Sequence, residues 1–418
     1  MQDLKKQPQS FLLIKKSIKA LLFLPASLIA MLVFLVRPII LLRIGNLLSS
    51  RLGHFAANTE LYLCEKYSGK STNRRFSFDF FYYQDVICNE QLNTMWKRSI
   101  VILPRSFSTI LVRLEYLFKV LSGFFPFIGA HIVNTVSSDR DIYGLLDESP
   151  INLKFTKKEK SKGLSELIKL GVPKDSKVVL LCVRDNAYLK SVNNTKEWDY
   201  HNYRNSNIDN YVLAAEQLAK MGYYVIRMGV SVNKSLDSNN PKVIDYAFNG
   251  MRSEFMDIYL ASICDFVIST GNGGDALAVT CFRKPSVFVN YCPILDFFTP
   301  KSNSLSITKH HISIENNKEL SFKEIISNNV GSCQHSECFE QNGVILTENT
   351  PEEIRDVAIE MANRLSGSWN SMKIDTELQS RFWDIFPNQQ LVNGKIHHGK
   401  INLTFGSKFL RDNAWWVE

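Results

Sequence analysis

The chain has 418 residues, which is longer than one ordinary hydrophobic core and favours two domains. Its 45% hydrophobic and 22% charged residues are typical of a folded globular protein and exclude a disordered one. The net charge of +8 is concentrated in residues 1–50, where seven Lys or Arg residues accompany one Asp, so no nucleic-acid partner is expected for the folded body.

The first predicted element is an apolar segment of 17 uncharged residues, Ala20–Val36. That length is at the lower limit for a membrane-spanning helix. Lysines precede it, and they favour a cytoplasmic N-terminus and bind anionic headgroups. We therefore expect residues 1–40 to form a membrane-associating segment, peripheral or monotopic, on the cytoplasmic side of the inner membrane. The alternative, a buried core helix, suits the flanking lysines less well.

Residues 41–165 alternate between strand-like and helix-like segments and form a predicted N-terminal Rossmann-like domain. Its predicted strands are Leu41–Gly45, Phe76–Tyr83 and Ser99–Pro104. Helical spacing begins near His54 after the first strand, and near Ser106 after the third. This alternation predicts a parallel sheet with helical crossovers.

A Lys-rich stretch separates this block from a second one, residues 172–345, which is the predicted C-terminal Rossmann-like domain. Its strands read as apolar runs that alternate with helical segments: KVVLLCVRD, YYVIRMG, FVIST and PSVFVNY. The chain from Tyr291 to Thr350 is predicted to be rich in loops. Residues 346–418 are predicted to be a helical tail that packs back on the body, with Thr350 as the N-cap of its first helix.

Polar clusters follow four strands of the second block, where the carboxyl ends of parallel strands meet at one sheet edge. Glycine amides and a helix N-terminus favour an approaching phosphate, and arginines bind it in a bidentate manner. The predicted binding residues are Arg184, Asp185, Arg227, Gly229, Ser269, Thr270, Gly271, Asn272, Gly273 and Gly274. The alternative is a tight turn with a packing role only.

The glycine turn matches neither of two common nucleotide motifs. A Walker A loop needs GK followed by Ser or Thr, and the last glycine of GxGxxG is missing here. NAD is therefore not expected, and no cofactor is predicted.

The motif HNYRN lies between the first strand and the first helix of the second block. Its polar side chains, Tyr203, Arg204 and Asn205, are candidates for contact with a ligand. The alternative is a plain loop in which Asn207 or Asp209 initiates the next helix.

His54 is the first candidate catalytic residue, because a neutral imidazole near a helix N-terminus can take a proton from a hydroxyl. Glu60 on the same predicted helix is the second candidate, and Asp85 is a substitute for either. A structural histidine is the alternative. Asp257 is interpreted as part of a helix N-terminus, with a contact to a ribose or base as the alternative.

Eight cysteines are scattered along the chain, and several lie in apolar runs where a reduced thiol is a small core residue. This usage predicts a cytosolic environment. Cys333–Cys338, with the sequence CQHSEC, is interpreted as an ordinary surface loop. A zinc site is the alternative, but its ligand spacing is normally tighter, and no metal ligands are assigned.

Several long motifs resemble a family of bacterial glycosyltransferases from surface-polysaccharide and lipopolysaccharide loci. They occur in the order RLGHFAANTELYL, LCVRDNAYL, HNYRNSNIDNY, GYYVIRMG, IDYAFNGMRSEFMDIYLASICDFVISTGNGG and FRKPSVFVNYCP. The resemblance extends from about Arg43 to the C-terminus.

The resemblance implies an α/β fold with two Rossmann-like domains facing a cleft, the GT-B arrangement. It implies a nucleotide-sugar donor held by the second domain and a lipid-linked or lipopolysaccharide glycan acceptor held by the first. It further implies metal-independent transfer of a hexosyl or related group, in which Arg184 and Arg227 replace a divalent ion at the leaving diphosphate.

Two other functions stay open at this point. A nucleotide-sugar epimerase or pyruvyl transferase fits the same fold but needs no membrane segment. A non-catalytic glycan-assembly protein is expected to tolerate changes at Arg184 and Gly273. Transfer of the sugar to an acceptor, as opposed to conversion of the donor alone, distinguishes a glycosyltransferase from an epimerase.

Overall fold

The computed structural model describes residues 21, 23–72, 76–135, 140–192, 199–271, 273–297, 303–387, 391–392, 395–396, 401 and 403–418. The lysines that precede the apolar segment, and Asn272 of the predicted turn, lie outside the described residues. The chain divides into two compact units, residues 1–138 and 139–418, which are called unit 1 and unit 2.

The division between the units lies earlier than the sequence boundary near residue 165, because the chain from Arg140 onward packs into unit 2. Arg140 pairs with Asp296 at 2.9 Å. The Nε of Arg283 donates a hydrogen bond of 3.1 Å to the carbonyl of Leu146. The Phe155 ring lies 5.7–6.1 Å from three aromatic rings of unit 2. The segment predicted to link two domains is therefore part of the second core.

Unit 1 contains a parallel four-stranded sheet in the order β3-β2-β1-β4. Its strands are β1 (Leu41–Leu47), β2 (Ser77–Tyr83), β3 (Val101–Ile102) and β4 (Ile132–Val133). Its helices are α1 (Phe23–Val36), α2 (Leu52–Tyr67), α3 (Glu90–Trp96) and α4 (Ser108–Phe124), and a 3-10 turn covers Pro126–His131. The predicted parallel α/β character is confirmed for this unit, although β3 is shorter than the predicted strand.

The apolar segment forms helix α1, which packs one side on α4. Ala26, Ala30 and Val33 are buried there in one cluster with Leu114 and Phe118. Two small alanines on that side let the helix axes approach closely. Within the residues that the structure describes, no helix is long and apolar enough to cross a membrane. Attachment of this segment to a membrane stays a prediction.

Unit 2 is built on a seven-stranded parallel sheet in the order β15-β10-β9-β8-β5-β6-β7. Its strands are β5 (Lys177–Cys182), β6 (Tyr223–Arg227), β7 (Val243–Ile244), β8 (Phe266–Ser269), β9 (Ser286–Tyr291), β10 (Ser304–Thr308) and β15 (Leu403–Phe405). Most residues of the central strands are buried, as expected for a sheet covered on both faces. The predicted parallel α/β character is confirmed here too.

The helices of unit 2 begin with α5 (Leu145–Glu148), α6 (Lys157–Lys169), α7 (Ala187–Val192), α8 (Val212–Lys220) and α9 (Glu254–Ile263). They continue with α10 (Phe322–Ser327), α11 (Ser336–Gln341), α12 (Pro351–Ser366), α13 (Lys373–Ile385) and α14 (Ser407–Asp412). A 3-10 helix covers Asp199–Arg204, and a π-helical turn covers Leu277–Cys281, where the sequence predicts an ordinary helix start.

The chain between Tyr291 and Thr350, expected to be rich in loops, also contains strands that the sequence did not predict. Strand β10 lies between β9 and β15, and β11 (His310–Ser313) pairs with the antiparallel strand β12 (Val344–Thr347). A further short antiparallel pair is β13 (Leu391–Val392) with β14 (Lys395–Ile396). Serines alternate in β10, so its sequence carries little apolar signal even though every residue is buried. The tail supplies β15 to the sheet in addition to its helices.

The CQHSEC loop is not an ordinary surface loop, because the structure bonds Cys333 to Cys338 as a disulfide with a Cα–Cα distance of 5.6 Å. That distance lies in the normal range for a disulfide. Cys182 and Cys264 are buried and lie outside the disulfide, as their apolar surroundings suggest. Burial raises the pKa of the Cys264 thiol to about 12.

Candidate anion-binding site

The candidate binding residues of unit 2 lie where neighbouring strands end. Because β10, β9, β8, β5 and β6 are adjacent and parallel, the residues that follow them emerge at one edge of the sheet. Arg184 follows β5, the turn from Thr270 follows β8, and Lys309 follows β10. The loop that carries Arg204 joins α7 to α8 at the same edge, where it contacts this turn.

The turn after β8 is held from inside by Ser269 and Asp275. The Oγ of Ser269 accepts a 3.0 Å hydrogen bond from the Gly271 N–H and donates to the carboxylate of Asp275 at 2.5 Å. Both side chains are buried. Gly271 has a φ of +69°, while Gly273 and Gly274 are exposed. Ser269 therefore shapes the turn from the protein interior, and Gly273 and Gly274 lie on its outer surface.

Arg184 is fixed against both the turn and the neighbouring loop. Its backbone N–H donates to the Thr270 hydroxyl at 3.2 Å, and its Nε lies 3.4 Å from the Asn205 side-chain oxygen. Burial and the positive charge of Arg204 lower the pKa of Arg184 to about 10. The guanidinium is still charged at neutral pH, and it lies beside a second cation.

Arg204 is that second cation, and its guanidinium donates to the carbonyl of Gly271. Among the described residues, neither Arg184 nor Arg204 forms an ion pair with a carboxylate. Two half-buried arginines that repel each other beside an exposed glycine turn are a favourable place for a ligand with negative charge.

Lys309 adds a third positive charge, which contacts the loop of Arg204, and this residue was not predicted from the sequence. Only 4% of Lys309 is exposed, and its Nζ donates to the Asn205 carbonyl at 2.7 Å. Burial lowers the pKa of the lysine. The signal that could have revealed it is a cation directly after a strand, but β10 itself was not predicted.

Two of the other predicted binding residues, Arg227 and Asp185, have internal partners. The Arg227 guanidinium is fully buried, lies 3.3 Å from the Asp245 carboxylate and donates to the Lys234 carbonyl. Asp185 accepts from the backbone N–H groups of Ala187 and Asn233, both at 2.9 Å.

Gly229 leaves no room for a side chain, since an added Cβ would lie 2.8 Å from Val232. The structure therefore brings Arg184 together with Arg204 and does not place Arg227 in a clamp with Arg184.

The rest of the HNYRN motif anchors the loop. Tyr203 is buried, its N–H donates to the Ser336 hydroxyl at 3.2 Å, and its ring packs 5.6 Å from Phe339 on α11. Burial raises the pKa of Tyr203 to about 12, so its hydroxyl is neutral. Asn205 supplies the two oxygens that meet Arg184 and Lys309.

Asp257 belongs to a buried structural group on α9. Its carboxylate accepts from Arg252 at 2.6 Å and from the Tyr246 hydroxyl at 3.3 Å. Burial raises the pKa of Asp257. The helix N-terminus role that the sequence indicates fits these contacts better than a contact with ribose.

In unit 1, His54 lies half-buried in the first turn of α2, with its Nδ1 3.4 Å from the Asn58 side-chain oxygen. The Asn58 Nδ2 donates to the Thr135 carbonyl at 2.7 Å, which leaves the Asn58 oxygen as an acceptor. The Nδ1 of His54 is then the donor, and Nε2 carries the lone pair of the neutral ring.

The other two catalytic candidates differ in exposure. Glu60 is fully buried on α2, where a substrate cannot reach its carboxylate, and so the structure does not support a catalytic role. Asp85 is exposed, and its carboxylate accepts a 3.4 Å hydrogen bond from Ser50. Within the described residues, no group of His, Cys, Asp and Glu is arranged to hold a metal ion.

Comparisons with known proteins give no family assignment from sequence: no protein-family model and no curated protein matches the chain. One similar solved structure is the ADP-heptose lipopolysaccharide heptosyltransferase II of E. coli, with a TM-score of 0.37 and 13% identity over 63% of this chain and 90% of that one.

Two other solved structures are also similar. A family 9 glycosyl transferase from Veillonella parvula DSM 2008 has a TM-score of 0.36 and 9% identity over 64% of this chain and 85% of its own. A Listeria monocytogenes protein assigned as a UDP-N-acetylglucosamine 2-epimerase has a TM-score of 0.25 and 9% identity over 59% and 79%. All three TM-scores are below 0.5, and so the chain's own residues carry the functional interpretation.

Proposed function

We propose that the chain is a glycosyltransferase that moves a sugar from a nucleotide-sugar donor to a membrane-linked glycan in bacterial surface-polysaccharide or lipopolysaccharide synthesis. The observation that carries the proposal is the pair Arg184 and Arg204 beside the Gly271 turn, without a carboxylate partner among the described residues. Acceptor class and biological setting follow from the family resemblance of the sequence motifs.

The chemistry of sugar transfer explains why such a pair is useful. When the bond between the sugar C1 and the diphosphate oxygen breaks, negative charge builds on the leaving nucleoside diphosphate. Guanidinium groups that are already positioned stabilise this charge more strongly in a partly dry site than in water. In this proposal, Arg184 and Arg204 bind the two phosphoryl groups. Lys309, which contacts the carbonyl of Asn205, adds positive electrostatic potential.

His54 is the proposed base for the acceptor. Its Nδ1 is held by Asn58, so Nε2 is the atom that can take the proton of an acceptor hydroxyl as the oxygen bonds to C1. A single displacement of this kind inverts the configuration at C1. If the product retained its configuration, His54 would have only a positioning role.

The test is the affinity of the purified full chain for nucleoside diphosphates, measured by calorimetry after a thermal-shift screen selects the nucleotide. Arg184→Ala and Arg204→Ala should each weaken binding by about tenfold to hundredfold, since each removes a charged hydrogen-bond donor. Arg381→Ala, at an exposed position on α13, is the matched control and should leave the affinity unchanged.

Wild-type affinity in both site variants would show that the diphosphate site has been misplaced. Transfer of a labelled sugar to a glycan lipid then distinguishes the proposed enzyme from an epimerase, which changes the donor without consuming an acceptor.

A further inference from the structure

We propose that unit 1 binds the surface of an anionic lipid bilayer through one apolar face, the membrane face, formed by α1, α4 and the turn Pro126–His131. The residues of the membrane face are Leu24, Leu28, Met31, Leu32, Leu35, Tyr116, Phe124, Phe125 and Phe127. The proposal is independent of the nucleotide site, which belongs to unit 2.

Helix α1 has two apolar stripes where a helix on the surface of a soluble domain normally has one. Ala26, Ala30 and Val33, spaced by four and three residues, are the stripe buried against α4. The other stripe follows the same spacing along the outer side, from Leu24 to Leu35, and its members are 62–75% exposed. A helix with water on its outer side would carry polar residues there. The outer stripe therefore indicates an apolar partner.

Aromatic side chains extend the apolar stripe at both ends of α1. Near its beginning, the Phe23 ring lies 6.0 Å from the ring of Tyr116, which is 57% exposed. Near its end, the Arg37 guanidinium lies 4.6 Å from the centre of the Phe127 ring. Phe124 and Phe125 adjoin Phe127 and are 77% and 52% exposed. These contacts place exposed aromatic rings beside both ends of α1, so the exposed apolar residues are grouped and not scattered singly.

The geometry favours a helix that lies in the lipid surface over one that crosses the bilayer. One stripe of α1 is already committed to α4, whose own sequence includes Arg113, Glu115 and Lys119. A buried outer stripe with a protein-packed inner stripe is the arrangement of a monotopic helix.

The positive charges at the ends of the membrane face favour an anionic bilayer as its partner over a second copy of the chain. Arg37 lies against Phe127 at one end of the membrane face, and Arg113 lies 5.8 Å from the centre of the Phe23 ring at the other. The sequence adds five lysines between residues 5 and 19, just ahead of α1. Arginines and aromatic rings at the border of an apolar surface suit anionic headgroups. In a symmetric dimer, the same cations would face each other.

The test is flotation of the full chain with vesicles made of equal parts of phosphatidylcholine and phosphatidylglycerol, beside vesicles of phosphatidylcholine alone. The test variant carries Leu28→Gln, Leu32→Gln and Leu35→Gln. The matched control carries Val230→Gln, Ile314→Gln and Ile345→Gln, which change three apolar residues of unit 2 that are 49–55% exposed.

We expect the wild type and the control to float with the anionic vesicles, and the test variant to lose at least about tenfold in vesicle affinity. Its melting temperature and its affinity for the nucleoside diphosphate should not fall, because the three leucines are exposed and lie outside unit 2. Equal flotation of the test variant and wild type would overturn the proposal. So would a wild type that binds no vesicle and forms a dimer that the leucine changes dissociate.

Discussion

Gly271 combines two constraints in one residue of the candidate site. Its φ of +69° lies in the left-handed region, which side chains rarely adopt. An added Cβ would also lie 2.5 Å from the Tyr291 ring, which is buried at the end of β9. The glycine is therefore required by backbone conformation and by the close approach of an aromatic ring.

Gly271→Ala should destabilise the fold more than an ordinary change at a left-handed glycine. The backbone term costs about 1–2 kcal/mol, and the clash with Tyr291 adds about 1–3 kcal/mol. Gly367 is the matched control, because its φ is +74° and nothing lies within 4 Å of an added Cβ. Chemical denaturation of Gly271→Ala and Gly367→Ala measures the difference. Equal losses in the two variants would contradict the packing argument.

Single residues of the site could be predicted where the signal is local. Arg184 lies two residues after an apolar strand, and so its position at the sheet edge could be predicted from the sequence alone. Arg227 is the last residue of its own strand, but its partners Asp245 and Lys234 are brought to it by loops whose path is set by the tertiary fold. Sequence position identifies the edge of the sheet, and only the fold determines which arginine is already paired.

At the scale of elements, His310 on β11 contacts two carboxylates. One belongs to Glu319, which follows β11, and the other belongs to Glu353 on α12. The His310 Nδ1 lies 2.6 Å from Glu319 and its Nε2 lies 3.0 Å from Glu353. Burial acts to lower the pKa of His310, but the two carboxylates outweigh it and raise the pKa to about 10. In the folded chain the ring is a cation that bridges two elements at neutral pH.

This bridge should make the stability depend on pH. The folded-state pKa is above the unfolded value of about 6.5, so the contribution is complete below pH ~6.5 and is lost as the pH rises toward 10. In that window the free energy of unfolding should fall by up to about 1.4 kcal/mol per pH unit, and His310→Gln should flatten the slope. Urea denaturation at several pH values measures it.

The neighbouring histidine supplies the control for this measurement. Burial lowers the pKa of His311 to about 4, so His311 is neutral throughout the window. His311→Gln should lower the stability and leave its slope with pH unchanged. An unchanged slope in His310→Gln would show that the bridge does not titrate as described.

Elements were predictable from sequence in proportion to their apolar content. The central strands β5, β6, β8 and β9 are nearly continuous apolar runs, and the sequence predicts each of them. Strand β10, with the sequence SLSIT, is buried through hydrogen bonds as well as apolar contact: Ser304 lies 2.7 Å from Ser286, and Thr308 donates to the Tyr291 carbonyl at 2.8 Å. Because the partners come from β9, a short window of sequence does not contain the reason for its burial.

At the scale of the whole molecule, two units could be predicted from length and alternation, but their boundary could not. The Lys-rich stretch resembles a linker by composition, yet it forms α6, which begins with a capping box at Thr156 and Glu159. Its exposed side carries the lysines, while Gly163 lies directly against the Tyr259 ring on α9. A solvated helix face and a linker have similar compositions, and only the buried side distinguishes them.

The boundary leads to a prediction about fragments. A fragment of residues 139–418 keeps Arg184, Arg204 and Lys309 together with the whole of unit 2, and a compact unit with its own core can fold alone. This fragment should unfold cooperatively and bind the nucleoside diphosphate with the affinity of the full chain.

A fragment of residues 172–418, cut at the boundary that the sequence suggests, loses the Arg140–Asp296 pair, the Phe155 cluster and all of α6. It should melt at a lower temperature or aggregate, since the aromatic rings of α9 would become exposed. Circular dichroism melting curves compare the two fragments, and equal melting temperatures would contradict the assignment of residues 140–171 to the core of unit 2.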